Sequence, residues 1–133
     1  MQSEVRADSN LFRVLSRALL GEGTAIRFRA RGRSMFPAIA DGDEIEIHPA
    51  VSARAGDVVL VESPEGLRTH RVVAVKNDVL VTRGDSCAEN DVDCKADDVV
   101  GTVSSVICEN GRGRRPHTLR TRLLQLWSRL RMQ

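Results

Sequence analysis

Residues 57–82, DVVLVESPEGLRTHRVVAVKNDVLVT, contain three short valine-rich runs separated by turn-forming residues. Pro-Glu-Gly separates the first two runs, and Lys-Asn-Asp separates the last two. Pro, Gly, Asn and Asp favour turns, whereas runs of β-branched side chains favour strands over helices. The stretch therefore predicts three short strands in succession.

The same pattern continues on both sides of this stretch. Residues 24–31 alternate apolar and arginine side chains, which is typical of a strand with one buried face. Residues 44–47 follow the turn Asp-Gly-Asp, and residues 99–107 form a closing valine-rich run. Many short, evenly separated strands predict a mainly β fold: a coiled antiparallel sheet or a small barrel over residues 24–109.

Amphipathic helices are predicted on both flanks of this β domain. Residues 1–23 contain capping residues, then apolar side chains at helical spacing, then glycines that end the helix. The apolar positions are Leu11, Val14, Leu15, Ala18 and Leu19. Residues 110–133 begin with a flexible basic linker and continue as a basic amphipathic helix. Its apolar positions are Leu119, Leu123, Leu126, Trp127 and Leu130.

Charge is unevenly distributed along the chain. The 20 basic and 18 acidic residues give a net charge of +2, but seven arginines and no acid fall within residues 110–133. Residues 1–109 therefore hold 13 basic and 18 acidic residues, a net charge of −5. With only 3% aromatic residues, this acidic body is not expected to bind nucleic acid. The basic helix is expected to pack on protein or to contact an anionic membrane surface.

Cysteine content and hydropathy indicate a cytoplasmic protein. The three cysteines are an odd number, and neither a secretory leader nor a long apolar segment is present in the sequence. The spacing of Cys87 and Cys94 around two aspartates matches no strong zinc pattern. We therefore expect free thiols, no metal and no cofactor.

Ser34 lies in a sequence that favours a sharp turn, residues 32–37, GRSMFP. A serine in such a turn can present its hydroxyl to solvent and leave nearby backbone N–H groups available for an oxyanion. An ordinary turn serine is the alternative, and on these six residues alone it is the more frequent one. The assignment of a nucleophile therefore requires further residues.

His70 is the favoured base among the three histidines. A serine nucleophile needs a base within hydrogen-bond reach, and an imidazole in the middle of a strand is held on a rigid backbone. His48 precedes a proline at a strand end, and His117 lies in the linker. A single histidine on a strand is nevertheless more often structural than catalytic.

An acid-rich loop, residues 82–93, TRGDSCAENDVD, follows the third of the quoted runs. A carboxylate beside an imidazole fixes its tautomer and stabilises the imidazolium. By itself the loop is equally compatible with a solvated turn or a weak cation site. Its function depends on whether it lies near His70.

The order and spacing of these segments resemble the type I signal peptidases and the related LexA-like self-cleaving peptidases. The segments that carry the resemblance are GRSMFP at 32–37, DGD at 41–43, GDVV at 56–59, HRVV at 70–73, TRGD at 82–85, and Gly101. The resemblance covers about residues 24–107. It implies a coiled β-sheet domain that binds its substrate as an added extended strand.

Within this group the base distinguishes two branches. Bacterial signal peptidases and LexA-like proteins use a Ser–Lys pair, whereas the archaeal and endoplasmic-reticulum branch has histidine at the lysine position. Because that position holds His70, the chain resembles the Ser–His branch. That branch has two aspartates six positions apart, a spacing that Asp85 and Asp91 reproduce. Asp93 is the fallback for the second.

The resemblance therefore implies a set of roles at the site. Ser34 would attack, His70 would accept its proton, and Asp91 together with Asp85 would orient the imidazole. Bacterial members often have a hydroxyl residue two positions before the nucleophile, where this chain has Gly32. The oxyanion donors would then be backbone N–H groups, including that of Ser34.

The implied function is that of a serine endopeptidase that cleaves an extended precursor or leader peptide with small residues next to the scissile bond. Signal peptidases are anchored in the membrane ahead of the serine, and the sequence before Ser34 contains no such anchor. We therefore expect a dedicated protein or peptide precursor as substrate. A LexA-like self-cleaving regulator and a non-catalytic peptide-binding module on the same fold are the alternatives.

Overall fold

Strands make up most of the ordered elements in the computed structural model, which describes residues 9–50, 52–108 and 110–116. One α-helix, α1 (Ser9–Gly21), precedes the strands, and a short 3-10 helix (Ala96–Asp98) precedes the seventh. The strands are β1 (Ile26–Arg29), β2 (Glu44–Pro49), β3 (Val58–Ser63), β4 (Gly66–Lys76), β5 (Val79–Arg83), β6 (Cys94–Lys95), β7 (Val99–Ile107) and β8 (Gly113–Arg114).

These strands form one antiparallel sheet, which confirms the predicted mainly β fold. The strand order is β1-β2-β7-β3-β4-β5-β6, with β8 paired to β7. Register shifts interrupt the β2–β7, β3–β7 and β4–β5 ladders, and such bulges bend strands and increase their twist. In the described residues β1 and β6 lie at opposite ends of the order. The sheet is therefore not closed into a barrel.

Strand β3 lies at the centre of the sheet and is buried on both faces. Val58 and Leu60 contact one apolar cluster, and Val59 and Val61 contact a second. A strand covered on both sides needs apolar residues at every position, which explains the unbroken run at 58–61. Because β3 pairs with β4 in a fixed register, it also places His70 opposite Val59.

Helix α1 confirms the predicted N-terminal helix, but the apolar positions that predicted it are largely exposed. The exposed fractions are 55% for Leu11, 57% for Val14, 49% for Leu15 and 38% for Leu19. The buried face instead contains Ser16 and Leu20, and the Phe12 ring packs edge-on against Phe28 with centroids 5.0 Å apart. These tertiary contacts, rather than the apolar pattern, set the rotation of the helix.

The two ends of the chain lie partly outside the described residues. The predicted basic helix within residues 110–133 falls beyond residue 116, and the described range begins at residue 9. Its existence, and the domain boundaries after residues 23 and 109, therefore stay predictions. Among the helices of the described part, none has the length and apolar character needed to cross a membrane.

Candidate active site

Ser34 lies in a helical turn between β1 and β2. Met35 and Ile39 are buried in the core, so the turn is anchored while Ser34 itself is half-buried. The Ile39 N–H donates to the Met35 carbonyl, and the Gly32 N–H donates to the Asp41 carboxylate at 2.7 Å. Gly32 has a φ of 86°, a left-handed conformation that favours glycine at the entry to the turn. The turn thus fixes the backbone on both sides of the serine.

His70 projects from β4 toward this turn. Its Nε2 lies 3.1 Å from the Ser34 Oγ, and its Nδ1 lies 2.6 Å from the Asp91 Oδ2. The residue is 7% exposed. An ionised carboxylate can only accept a hydrogen bond, so the Asp91 contact fixes the proton on Nδ1 and leaves Nε2 as the acceptor for the serine hydroxyl.

Asp91 belongs to the loop after β5 and is held there by Thr82. The Asp91 N–H donates to the Thr82 carbonyl, and the Thr82 hydroxyl donates to the Asp91 Oδ2, both at 2.8 Å. Arg68 Nε lies 3.4 Å from the same oxygen. Thr82 is fully buried, so its hydroxyl acts from a fixed position. The carboxylate is therefore oriented before any substrate binds.

Asp85 occupies a different place from the one expected. Its two carboxylate oxygens accept from Nε and Nη2 of Arg71, each at 2.8 Å. Arg71 is buried and also donates to the carbonyls of Gly56 and Pro116. The structure thus brings Ser34, His70 and Asp91 together, while Asp85 pairs with an arginine. Asp93, the fallback for Asp91, is exposed.

The loop that carries both aspartates packs directly on the serine turn. The Ser86 N–H donates to the Ser34 carbonyl at 2.9 Å, and the Ser86 hydroxyl donates to the Arg33 carbonyl. A Cβ on Gly84 would lie 2.6 Å from the Ser34 carbonyl oxygen and 2.7 Å from the Cys87 Sγ. The glycine is therefore required by the close approach of the two segments.

Sequence reasoning missed Thr82, Arg68 and Gly84 as parts of this site. Thr82 and Arg68 lie on neighbouring strands and reach Asp91 through tertiary contacts. No local pattern signals such contacts. In the Arg-Gly-Asp stretch, Asp85 was the predicted site residue. It is Gly84, however, that makes the close contact with the serine turn.

An apolar cavity of about 230 Å³ opens beside Ser34. Its apolar lining comes from α1, β1, the serine turn, β3 and β4: Phe12, Phe28, Met35, Ile39, Leu60 and Leu67. In the described residues β1 pairs on one side, with β2, so its other edge is available for an added strand. The arrangement can therefore hold an extended peptide with one side chain in the cavity and its backbone near Ser34.

The described residues contain no group of three or more His, Cys, Asp or Glu side chains arranged to hold a metal ion. Cys87, Cys94 and Cys108 are free thiols. Burial raises the pKa of the Cys94 thiol, which keeps that side chain protonated and poorly nucleophilic. Ser34 is the candidate nucleophile, because its hydroxyl lies within hydrogen-bond distance of the His70 imidazole.

Comparison with known families places most of the chain within one of them. The family described as Peptidase S24-like matches residues 3–103, about three quarters of the chain. This range includes the serine turn, β4 and the whole acid-rich loop. No curated protein matches the chain.

Proposed function

The chain belongs to the Peptidase S24-like family, and on this premise we propose that it is a serine peptidase in which His70 activates Ser34. The family supports a serine peptidase-type hydrolase in general, acting either on other proteins or on itself as LexA-like members do. The observation that carries the proposal is the continuous hydrogen-bonded line from Ser34 Oγ through His70 to Asp91. Serine requires such an activating base because its hydroxyl is a weak nucleophile.

The reaction we propose proceeds through an acyl-enzyme. Ser34 Oγ attacks the scissile carbonyl carbon, and its proton passes to His70 Nε2. The resulting imidazolium is stabilised by the Asp91 carboxylate and then protonates the leaving amine as the C–N bond breaks. A water molecule then attacks the ester, gives its proton to His70, and releases the acid product and free Ser34.

Backbone N–H groups of the serine turn are the proposed oxyanion donors. In the hydrogen bonds described for residues 9–50, 52–108 and 110–116, the Ser34 N–H has no acceptor. Gly32, two positions before the serine, has no side chain with which to assist. The Ser34 N–H is therefore our candidate for the donor that stabilises charge on the carbonyl oxygen.

The finer assignment is a peptidase of the Ser–His signal-peptidase type that acts in trans on an extended segment of a separate precursor. The free edge of β1 beside the apolar cavity supports binding of an extended substrate. A cytoplasmic location and contact between residues 110–133 and an anionic membrane surface remain parts of this proposal.

Substitution of Ser34 and His70 tests the proposal. Ser34→Ala and His70→Ala are each expected to abolish reaction with a fluorophosphonate probe and cleavage of an extended-peptide library, followed by mass spectrometry. His48→Ala is the matched control, because His48 is exposed and hydrogen-bonds Glu46 on β2. Full reactivity of either Ser34→Ala or His70→Ala, with the fold intact by circular dichroism, would exclude the assigned pair.

Self-cleavage is the second candidate, favoured by the family match because LexA-like members cleave themselves. Incubation of the purified chain would then generate a defined fragment, and the Ser34→Ala variant would generate none. Mixing active chain with Ser34→Ala chain separates the two cases further. Cleavage of the inactive copy would indicate action in trans, whereas a concentration-independent fragment from the active copy alone would indicate action in cis.

A further inference from the structure

Ser86 contacts both peptide groups that flank the proposed nucleophile. Its N–H donates to the Ser34 carbonyl at 2.9 Å, and its hydroxyl donates to the Arg33 carbonyl. Because a peptide group is planar, the Arg33 carbonyl moves together with the Ser34 N–H, and the Ser34 carbonyl moves together with the Met35 N–H. One residue of the acid-rich loop therefore holds the backbone on both sides of the serine.

These two bonds also set the direction of the N–H groups. The peptide bonds that precede and follow Ser34 are trans, and in a trans peptide the N–H points away from the carbonyl. The Arg33 and Ser34 carbonyls point toward the loop, so the N–H groups of Ser34 and Met35 point away from it. Over residues 9–50, 52–108 and 110–116, neither N–H has a hydrogen-bond acceptor. Both are therefore available to a substrate oxygen.

The serine turn cannot supply the bond to the Ser34 carbonyl from its own backbone. In a 3-10 turn the donor would be the N–H three residues later, but that residue is Pro37, which has none. In an α-helical turn the donor would be the Ala38 N–H, which makes no such bond among those described. The Arg33 carbonyl, by contrast, also accepts from the Phe36 N–H at 3.1 Å. The loop after β5 therefore completes the hydrogen bonding of the serine turn.

Ser86 can hold the turn because its own position is fixed. The Cys87 N–H donates to the Gly84 carbonyl at 2.9 Å and closes a turn around Ser86. The Asp85 carboxylate pairs through both oxygens with the buried Arg71 guanidinium. The Ser86 side chain itself is exposed, so its replacement removes one hydrogen bond without opening a cavity in the core.

We propose that Ser86 is a positioning residue for the oxyanion donor: it holds the peptide group between Arg33 and Ser34 so that the Ser34 N–H points at the carbonyl oxygen under attack. This inference rests on the proposed peptidase function. In the described part of the chain, Ser86 makes no hydrogen bond to His70 or Asp91. Its effect therefore falls on the stabilisation of developing charge, and not on proton transfer to the imidazole.

Replacement of Ser86 by alanine in the full-length chain removes the bond to the Arg33 carbonyl and leaves the backbone bond to Ser34 in place. When Ser34 reacts with a fluorophosphonate probe, its Oγ bonds to phosphorus, fluoride leaves, and the proton passes to His70. The phosphoryl oxygen gains negative charge during this attack, as the scissile carbonyl oxygen does. Removal of an oxyanion donor slows such enzymes by about 10²–10³-fold.

In Ser86→Ala the donor is still present but less well oriented. We therefore expect the maximal rate of labelling to fall by about tenfold, which is less than the effect of losing the donor. The probe concentration that gives half of this rate should stay unchanged, because Ser86 does not contribute to binding of the probe. The rate should fall by the same factor from about pH 5 to about pH 9, since the base and its carboxylate are not altered.

Two further variants distinguish this role from a general effect on the fold. Ser86→Thr keeps the hydroxyl and should restore most of the wild-type rate. Ser104→Ala is the matched control and should label at the wild-type rate. Like Ser86, Ser104 is exposed, and its hydroxyl donates to a backbone carbonyl, that of Glu46 on β2. Comparable temperatures of thermal unfolding would show that the rates belong to folded proteins.

The possible outcomes distinguish this inference from the function on which it rests. Wild-type labelling by Ser86→Ala would overturn the inference and leave the peptidase intact. Equal slowing in Ser86→Ala and Ser86→Thr, or a slowing that varies with pH, would also overturn it, because the loss would then not come from orientation of the donor by the hydroxyl. Absence of any reaction at Ser34 in the wild-type chain would overturn the proposed function, and the inference would fall with it.

Discussion

Two hydrogen-bonding groups and one arginine side chain converge on a single oxygen of the Asp91 carboxylate. His70 Nδ1 lies 2.6 Å from this Oδ2, the Thr82 hydroxyl 2.8 Å, and Arg68 Nε 3.4 Å. Thr82 and Arg68 hold the carboxylate in place, and the carboxylate in turn holds the imidazole. The proposed base thus depends on residues that make no contact with Ser34.

Replacement of Asp91 by asparagine removes the negative charge of the side chain and leaves its size and shape nearly unchanged. An amide can present its NH₂ group to His70 and favour the wrong tautomer, so we expect Asp91→Asn to slow fluorophosphonate labelling of Ser34 by about 10⁴-fold, as in Ser–His–Asp triads. Asp93→Asn is the control, because Asp93 is exposed on the same loop. A comparable loss in both variants would contradict the role of Asp91.

Gly84 offers a second test at the scale of one residue. An added Cβ would lie 2.6 Å from the Ser34 carbonyl oxygen, so Gly84→Ala must displace the serine turn or the loop. We expect labelling of Ser34 to slow by at least tenfold and the free energy of unfolding to fall by about 1–3 kcal/mol. Gly21→Ala is the control, since nothing lies within 4 Å of its Cβ position. Wild-type labelling by Gly84→Ala would show that the close approach is not needed.

The sequence predicted those members of the candidate site that the order of segments identifies, but not the contacts between side chains. Ser34, His70 and Asp91 were found because their segments follow one another as in the peptidases that the chain resembles. Asp85 was expected beside the imidazole because of its spacing from Asp91, but spacing does not determine its partner. That partner is Arg71, the residue next to His70, whose side chain points to the other face of β4.

At the scale of elements, strand prediction succeeded where the runs were long enough to have a pattern. The run at 99–107 coincides with β7 (Val99–Ile107). Strands β6 and β8 contain two residues each, and two residues have no periodicity to detect. The helix was found from its apolar spacing, but spacing could not indicate that Phe12 and Leu20 face the sheet while Leu15 is exposed.

The contact between α1 and β3 should make stability depend on pH. The hydrogen bond from Arg17 holds the pKa of Glu62 below its usual value. Because the folded pKa is the lower one, the stabilisation is present above the ordinary glutamate pKa near 4.3 and is lost as pH falls through the folded value. Both side chains are partly exposed, so we expect about 0.2–1 kcal/mol from the pair.

Denaturant titrations of wild type and Glu62→Gln at pH 7 and pH 3 would measure this dependence. The difference between the two proteins should be larger at pH 7 than at pH 3, because protonation of Glu62 at low pH removes its charge from the pair with Arg17. Glu65→Gln is the control on the adjoining turn. An equal difference at both pH values would mean that the effect comes from packing rather than from charge.

At the scale of the whole molecule, Arg71 links parts of the chain that are distant in sequence. Its buried guanidinium contacts the Asp85 carboxylate, the Gly56 carbonyl and the Pro116 carbonyl. Asp85 belongs to the acid-rich loop, Gly56 precedes β3, and Pro116 follows β8. The segment at 110–116 is therefore part of the packing that supports the site, although we expected it to be a flexible linker.

Two truncated chains would measure how much residues 112–116 contribute to the stability of the fold. A chain that ends at residue 111 lacks both β8 and the Pro116 carbonyl, whereas a chain that ends at residue 117 retains β8 and keeps the Pro116 carbonyl within a peptide bond. Loss of a hydrogen bond to a buried charged group costs about 1.5–3 kcal/mol, so the shorter chain should unfold at lower urea concentration. Equal midpoints for the two chains would contradict the structural role of residues 112–116.

The three residues of the proposed triad lie on three separate segments, so the site can form only when the chain has folded. The serine turn, β4 and the loop after β5 meet only through contacts between residues far apart in sequence, and such contacts form after the local ones. A nascent or partly unfolded chain therefore has no assembled site. The proposed proteolytic activity would thus begin with completion of folding and end with loss of the fold.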